Sequence, residues 1–194
     1  MLYDVNIKEE DYYEESDQIL YLKRVPKSNK LFVKWFIEHY PGSKGIVGRS
    51  INFLIYSRGQ PIGIIGFSSP PLNYLKFNEF FKLDKNNKSS ENAKLFLNNN
   101  VFRIIHTQKN LATQILKMAR KEVYDIYQKD YELKLKGLVT FVEPPRTGAL
   151  YKADNWIYIG ETEGIEVKRR GEDWTEKKYV KGVSKYIYGY RYKN

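Results

Sequence analysis

Apolar and polar residues change period several times along this chain, and each change marks an element. From Ser28 to Glu38, Leu31, Phe32, Trp35 and Phe36 recur at helical spacing behind a Ser28 or Asn29 cap, and Pro41-Gly42 ends the helix. Residues 50–69 (SINFLIYSRGQPIGIIGFSS) then give two β-rich runs joined through Arg58-Gly59-Gln60-Pro61, the pattern of a hairpin. Gly63 and Gly66 on its second run leave room for close backbone approach. Beyond Pro70-Pro71, residues 72–98 show no regular period and carry a polar tip, DKNNKSSEN, so they are expected to form an insert or mobile loop. Residues 1–24 are expected to supply an edge strand and an exposed acidic loop.

The second half reads more plainly. VFRIIH (101–106) is a strand, TQKN (107–110) a polar loop, and LATQILKMARKEVYDIYQKDY (111–131) a helix with an apolar stripe of Leu111, Ile115, Met118 and Ala119. LKGLVTFVE (135–143) has the apolar run of a strand buried on both faces. After the turn PPRTG, Ala149–Ala153 are expected to form about one helical turn, broken at Asp154-Asn155. WIYIGETEG and KYIYGYRY are expected as two late strands separated by a charged loop, KRRGEDWTEKK. This order predicts a single domain over residues 1–194, α+β (α/β) in class, with a mixed sheet and a basic, aromatic C-terminal part from 161 to 194.

Composition narrows the partners. Hydrophobic residues make up 42% of the 194 residues and aromatics 15%, ample for a core. No apolar run approaches the ~20 residues of a membrane span, and the acidic amino terminus is unlike a signal peptide, so a cytoplasmic protein without membrane contact is expected. With no cysteine, disulfides and thiolate chemistry are excluded. The formal charge of +10 is concentrated in the tail, where Lys and Arg alternate with tyrosines; it fits either a polyanion, double-stranded DNA being the expected one, or a solvated lysine-rich surface.

Two places carry candidate chemistry. The strand-to-helix loop can seat a cofactor phosphate on the N–H groups of Asn110, Leu111, Ala112 and Thr113 at the positive helix end, with Thr107 beside them; Thr107 and Asn110 are equally read as helix caps. Tyr151, on the short helix beside the second strand's carboxyl end, suits a general acid that protonates a leaving thiolate, or a core tyrosine bonded to backbone.

The element order and the segment ALYKADNWIYIG resemble the GNAT acyltransferase fold, whose members carry a motif N-x-x-A-x-x-LY-x-x-x-GF. Ala149, Leu150 and Tyr151 keep its core, with Trp156 near the expected aromatic. TQKNLAT stands where that family has Arg/Gln-x-x-Gly-x-Gly/Ala. The resemblance implies a mostly antiparallel sheet flanked by helices, with splayed central strands, and acyl-CoA or a related activated acyl or amide donor. Within that superfamily, the stretch from about Phe36 to Gly160 is similar to Mom-type phage DNA-modification proteins, chiefly at Arg103, Asn110, Thr140, Gly148, Tyr151, Asn155 and Trp156. That likeness implies modification of adenine in DNA at its exocyclic amine, which protects phage or mobile-element DNA from host restriction, with Thr140, Asn155 and Trp156 at the substrate.

Beside the resemblance, further residues have roles of their own. Arg103, charged within an apolar strand, either holds an acidic side chain or clamps an anion. His39 is a proton acceptor or a helix C-cap, and Tyr40 can stack on a base. Glu143 is a base that deprotonates or orients an amine, or a strand-end partner for a lysine. Ser68 and Ser69 face the same cleft or form a turn. His106 and His39, far apart in sequence, make a poor metal signature, and no metal is expected. Three functions follow: a DNA-modifying transferase, an N-acyltransferase on a small amine or protein lysine, and a non-catalytic DNA-binding module.

Overall fold

The computed structural model describes residues 19–41, 43, 45–46, 48–71, 75–83, 93–106, 108–170 and 176–193; for Leu75, 166–170 and 176–180 it describes the backbone alone. Nine strands and four helices alternate in it: β1 (Leu20–Val25), α1 (Lys30–His39), β2 (Ser50–Ser57), β3 (Gln60–Ser68), α2 (Leu75–Phe80), β4 (Phe96–Ile104), α3 (Leu111–Tyr131), β5 (Gly137–Val142), α4 (Ala149–Ala153), β6 (Ile157–Glu161), β7 (Ile165–Arg170), β8 (Glu176–Lys181) and β9 (Tyr186–Arg191). One seven-stranded sheet has the order β1-β2-β3-β4-β5-β9-β6, and β7-β8 form a separate ribbon. Among the described residues only the β4–β5 pairing is parallel; the rest are antiparallel.

Alternation along the strands sorts the core into layers. Ile51, Phe53, Ile55, Ile65, Phe67, Leu97 and Leu138 point to one face, where α3 packs Ile115, Leu116, Ala119, Val123 and Tyr127 against them. Leu54, Tyr56, Ile64 and Val101 point to the other and meet Leu31, Phe32, Trp35 and Phe36 of α1. Further along that second face, Phe77 of α2 covers Phe96, Val139 and Ile187. Burying an aromatic or leucine of this kind stabilises by about 1.5–3 kcal/mol, so both helices are held by their apolar stripes rather than by helix propensity. Asn29 caps α1, its side-chain oxygen accepting from the Phe32 N–H at 3.0 Å.

Four expectations are corrected. The central strand starts at Phe96, not Val101, so the supposed insert 72–98 contains α2 and the first strand residues; 72–74 and 84–92 lie outside the described residues. Asn98-Asn99-Asn100 hid this start, because asparagine is a poor strand former; Asn99 is held in the strand by its side-chain hydrogen bonds. The stripe of α3 runs through Leu116, Val123 and Tyr127, while Met118 is half-buried. Of the charged stretch 168–178, residues 168–170 and 176–178 are strand, paired in β7 and β8, and 171–175 lie outside the described residues. The edge strand β1 lies where it was expected; the acidic residues 1–18 lie outside the described residues. No described helix is long and apolar enough to cross a membrane.

Candidate active site

The site begins where two strands separate. β4 and β5 pair only through Phe96–Gly137, Leu97–Leu138 and Asn98–Val139. Beyond that point β4 bulges: its register against β3 shifts between Gly66 and Phe67, which leaves Asn100 unpaired between Asn99 and Val101. A bulge bends its strand, here away from β5. At the fork, the Thr140 hydroxyl donates to the Asn99 carbonyl at 3.0 Å in place of a ladder bond. The gap is a cleft of about 360 Å³, walled by residues 99–102 of β4, 140–142 of β5 and the following Glu143, with His39, Tyr40 and Pro41 at one end and Arg146, Tyr151 and Lys185 around it.

Tyr151 reaches this cleft because α4 starts where it does. Gly148 caps α4 with φ +72°, and a Cβ there would stand 2.2 Å from the Tyr188 ring, so only glycine fits. The buried Tyr151 hydroxyl donates to Asn99 Oδ1 at 2.7 Å. Asn99 Nδ2 donates to the carbonyls of Gly66 (2.9 Å) and Val101 (3.1 Å), which fixes the amide with its oxygen toward the phenol. Burial pushes the Tyr151 phenol up to about 12, against a smaller lowering by the nearby Thr140 hydroxyl. The far end of α4 is pinned to α3: Arg120 donates to both Asp154 oxygens, at 2.8 and 3.0 Å, and Trp156 Nε1 donates to Asp154 at 3.0 Å. The Arg120 guanidinium also lies 4.0 Å from the centre of the Tyr190 ring.

His39, the last residue of α1, is half-buried in the cleft, and burial, then the charges of Arg146 and Arg103, lower its pKa from 6.5. Tyr40 donates from its hydroxyl to the Asn100 carbonyl at 2.9 Å, and burial raises its pKa. Glu143 lies in the cleft lining and pairs with Lys185 at 2.8 Å.

Several candidates stand elsewhere. Arg103 takes the acidic-partner role: it pairs with Glu38 at 2.6 Å and donates to the Trp35 carbonyl at 3.0 Å, tying β4 to α1. Ser68 and Ser69 do not face the cleft. The antiparallel register puts Ser68 opposite Asn98, at the zipped end of β4, and Ser69 bonds the Arg49 carbonyl. Trp156 is buried against Tyr151 (ring centres 5.1 Å apart), and Asn155 makes the turn after α4 at φ 62°, so both support the site rather than line it. Asn110 takes the left-handed conformation (φ 65°) at the start of α3, without a side-chain cap. The first intrahelical bond runs from Gln114 to Asn110, so the N–H groups of Ala112 and Thr113 have no helical acceptor, while Leu111 N–H bonds Gln108. Thr107 lies outside the described residues. His106 is exposed, and no group of three or more His, Asp or Glu among the described residues is placed to hold a metal ion.

Sequence reasoning missed Asn99, Arg146, Lys185 and Asp154. Asn99 sat in a run that looks like loop, and the others owe their places to register and turns. A usable signal was Arg120, a charge within a helix whose neighbouring face is buried.

Residues 7–166 match the family model for the Druantia protein DruA. The chain belongs to the DruA family. No curated protein matches it. Among solved structures it is similar to Arabidopsis thaliana NAA60 in complex with a bisubstrate analogue (TM-score 0.58, 9% identity, 89% of this chain and 97% of that one). It is also similar to a Bacillus subtilis acetyltransferase in complex with CoA (TM-score 0.53, 6% identity, covering 89% and 99%). A GNAT-family acetyltransferase from Streptococcus pneumoniae matches with TM-score 0.50 and 13% identity, over 89% and 99%. The fold of this DruA-family chain is therefore GNAT-like, with the mixed, mostly antiparallel sheet, flanking helices and splayed central strands expected of it.

Proposed function

We propose that the protein is a group transferase that passes an acyl-type group from an acyl-CoA donor to an amine held in the β4–β5 cleft. The observation that carries this reading is a buried phenol at the fork of two parallel strands. Residues present fit such a donor: β4 and β5 stop pairing at the fork, and the N–H groups of Ala112 and Thr113, which have no acceptor within the helix, stand at a helix start suited to phosphate. When bound, the donor supplies a thioester, whose carbonyl carbon takes the amine as its C–S bond breaks.

The protein's own residues divide the proton work. His39, with a lowered pKa, is neutral at pH 7 and takes the proton released by the amine. Glu143 is the weaker choice, being engaged by Lys185. Tyr151 stays protonated across the working range and offers its O–H to the departing sulfur. A thiol titrates near 8.5, so complete transfer from a phenol at about 12 is uphill by roughly 5 kcal/mol; Tyr151 serves as a hydrogen-bond donor, and the sulfur regains its proton later. Asn99 positions the phenol.

The finer reading is modification of adenine in DNA at its exocyclic amine. It is supported by the +10 charge and by the sequence similarity to Mom-type proteins. Membership of an anti-phage family turns the expected purpose from shielding an invader's DNA to defence against it. A duplex must then present an extruded base. The test incubates the protein with acetyl-CoA and an adenine-containing duplex, follows thiol release, and analyses intact nucleosides by mass spectrometry. An acylated adenosine is expected. Acylation of lysine peptides or polyamines alone would favour the small-amine reading, and absence of both thiol release and product would reject the transferase.

The pH profile has a worked sign. Above the pKa of His39 the ring is neutral and accepts a proton; below it the ring is charged and activity falls. The acid limb of kcat/KM is expected below pH 6.5, and His39→Gln is expected to flatten it. A limb unchanged by the substitution would assign the base elsewhere.

A further inference from the structure

The charges that line the cleft do not balance. Glu143 is taken by Lys185 at 2.8 Å, whereas Arg146, among the described residues, has no ion pair and no side-chain hydrogen bond. One cation is left over. Its backbone is nonetheless fixed on both sides: the Arg146 N–H donates to the Glu143 carbonyl at 3.2 Å, and the Thr147 carbonyl accepts from the Tyr188 hydroxyl at 2.6 Å. After burial, the charge of Arg146 is among the influences on the pKa of His39, Tyr40 and Tyr151 alike, so the guanidinium stands amid all three. A free guanidinium on a fixed turn, in a cleft whose walls focus its field, is a seat for an anion. Its planar fork fits a phosphate at two points.

Tyr40 stands at the end of the same cleft, with no part in the proton work. Its N–H bonds the Phe36 carbonyl and its hydroxyl the Asn100 carbonyl, both at 2.9 Å. Its ring packs edge-on against His39 and tilted against Phe36, with centres 4.5 and 5.5 Å apart. It is still 40% exposed. A ring held at its root and at its hydroxyl, yet open to the cleft, costs little to order when a planar group stacks on it. The cleft's 360 Å³ lies within the roughly 300–1,000 Å³ of small-ligand sites. A planar group and an anion on one molecule describe a nucleotide. A lysine side chain or a polyamine brings neither, and sets a second cation beside Arg146.

We infer that Tyr40 and Arg146 form the acceptor subsite of the cleft, and that it takes a nucleotide, with the base stacked on Tyr40 and a phosphate paired with Arg146. What then happens to the amine of the base rests on the transferase reading above, but binding needs no donor and is measured alone. The phosphate belongs either to a free nucleotide or to a nucleic-acid strand.

The full chain is titrated by calorimetry at neutral pH, alone and with saturating CoA, using 2′-deoxyadenosine, its 5′-monophosphate, a deoxyadenosine trinucleotide, 2-deoxyribose 5-phosphate and spermidine. The monophosphate or the trinucleotide is expected to bind about tenfold or more tightly than deoxyadenosine and deoxyribose phosphate, with or without CoA. Whichever of the two is tighter identifies the source of the phosphate. Arg146→Gln is expected to erase that advantage, and its weakening by salt, while deoxyadenosine binds as before. Tyr40→Leu is expected to weaken every base-bearing ligand about tenfold or more and to spare deoxyribose phosphate, whereas Tyr40→Phe, which keeps the ring, stays within about threefold of wild type. A disturbed fold would not give these opposite patterns with CoA binding unchanged. A monophosphate and trinucleotide no tighter than deoxyadenosine, an Arg146→Gln protein that keeps the preference, or spermidine binding as tightly as the nucleotides overturns the assignment. So does displacement of the nucleotide by CoA, or an Arg146→Gln protein weakened for CoA alone, since either would assign the guanidinium to the donor. A protein that binds CoA and no nucleotide overturns it too. Nucleotide binding in the expected pattern without CoA binding or thiol release would sustain the subsite and remove the transferase.

Discussion

Tyr151→Phe is expected to slow acyl transfer about 10²- to 10³-fold, the range of a positioned proton or hydrogen-bond donor. The substitution removes one oxygen and keeps the ring, which packs against Trp156 and Tyr188. The fold should therefore survive, at a cost of about 1–3 kcal/mol for leaving Asn99 Oδ1 unpaired. Thiol release from acetyl-CoA in the presence of acceptor, read beside a thermal melt, separates the two effects. A low kcat with a nearly unchanged KM for the donor is the expected pattern, because the phenol acts on the sulfur as it leaves. A rate equal to wild type would remove Tyr151 from the chemistry and leave it as a strut.

The second large effect is on stability. Asp154→Ala is expected to destabilise by about 3–5 kcal/mol, since it strands the Arg120 guanidinium with its carboxylate gone. For a chain of this length that corresponds to a fall in Tm of roughly 10 °C. Trp156 loses its acceptor in the same change. Asp154→Asn, which keeps one oxygen for Arg120 or Trp156, is expected to lose less. The stacking of Arg120 on Tyr190 sets the limit of the loss. A melt lowered by only a degree or two would mean that the stacked guanidinium is satisfied without Asp154.

How much of this was legible beforehand depends on what each feature rests on. The helices at 30–39 and 111–131, the hairpin at 50–68 and the strand at 137–142 follow from local period, and local period survives in sequence. The start of β4 does not, because Asn98, Asn99 and Asn100 are poor strand formers, and Asn99 is held there by side-chain bonds that reach far along the chain. Strand direction was equally hidden. Ser68 ends its strand just as Glu143 does, but antiparallel pairing carries it to the opposite end of β4. Tyr151 was singled out through its motif, as was Gly148. Arg103, Asn155 and Trp156 belonged to the same motif and turned out to hold the frame, which a pattern of letters does not distinguish from touching a ligand.

The short pairing of β4 with β5 has a mechanical consequence. Three residue pairs form a seam between two plates, one of β1 to β4 and one of β5, β9 and β6. Past the seam, the bonds across the opening converge on a single residue: Thr140 holds the backbone of Asn99, and Tyr151 holds its side chain. Asn99 works as a rivet. The contact that aims the phenol is also one that sets how far the plates stand apart, so the width of the opening and the readiness of Tyr151 vary together.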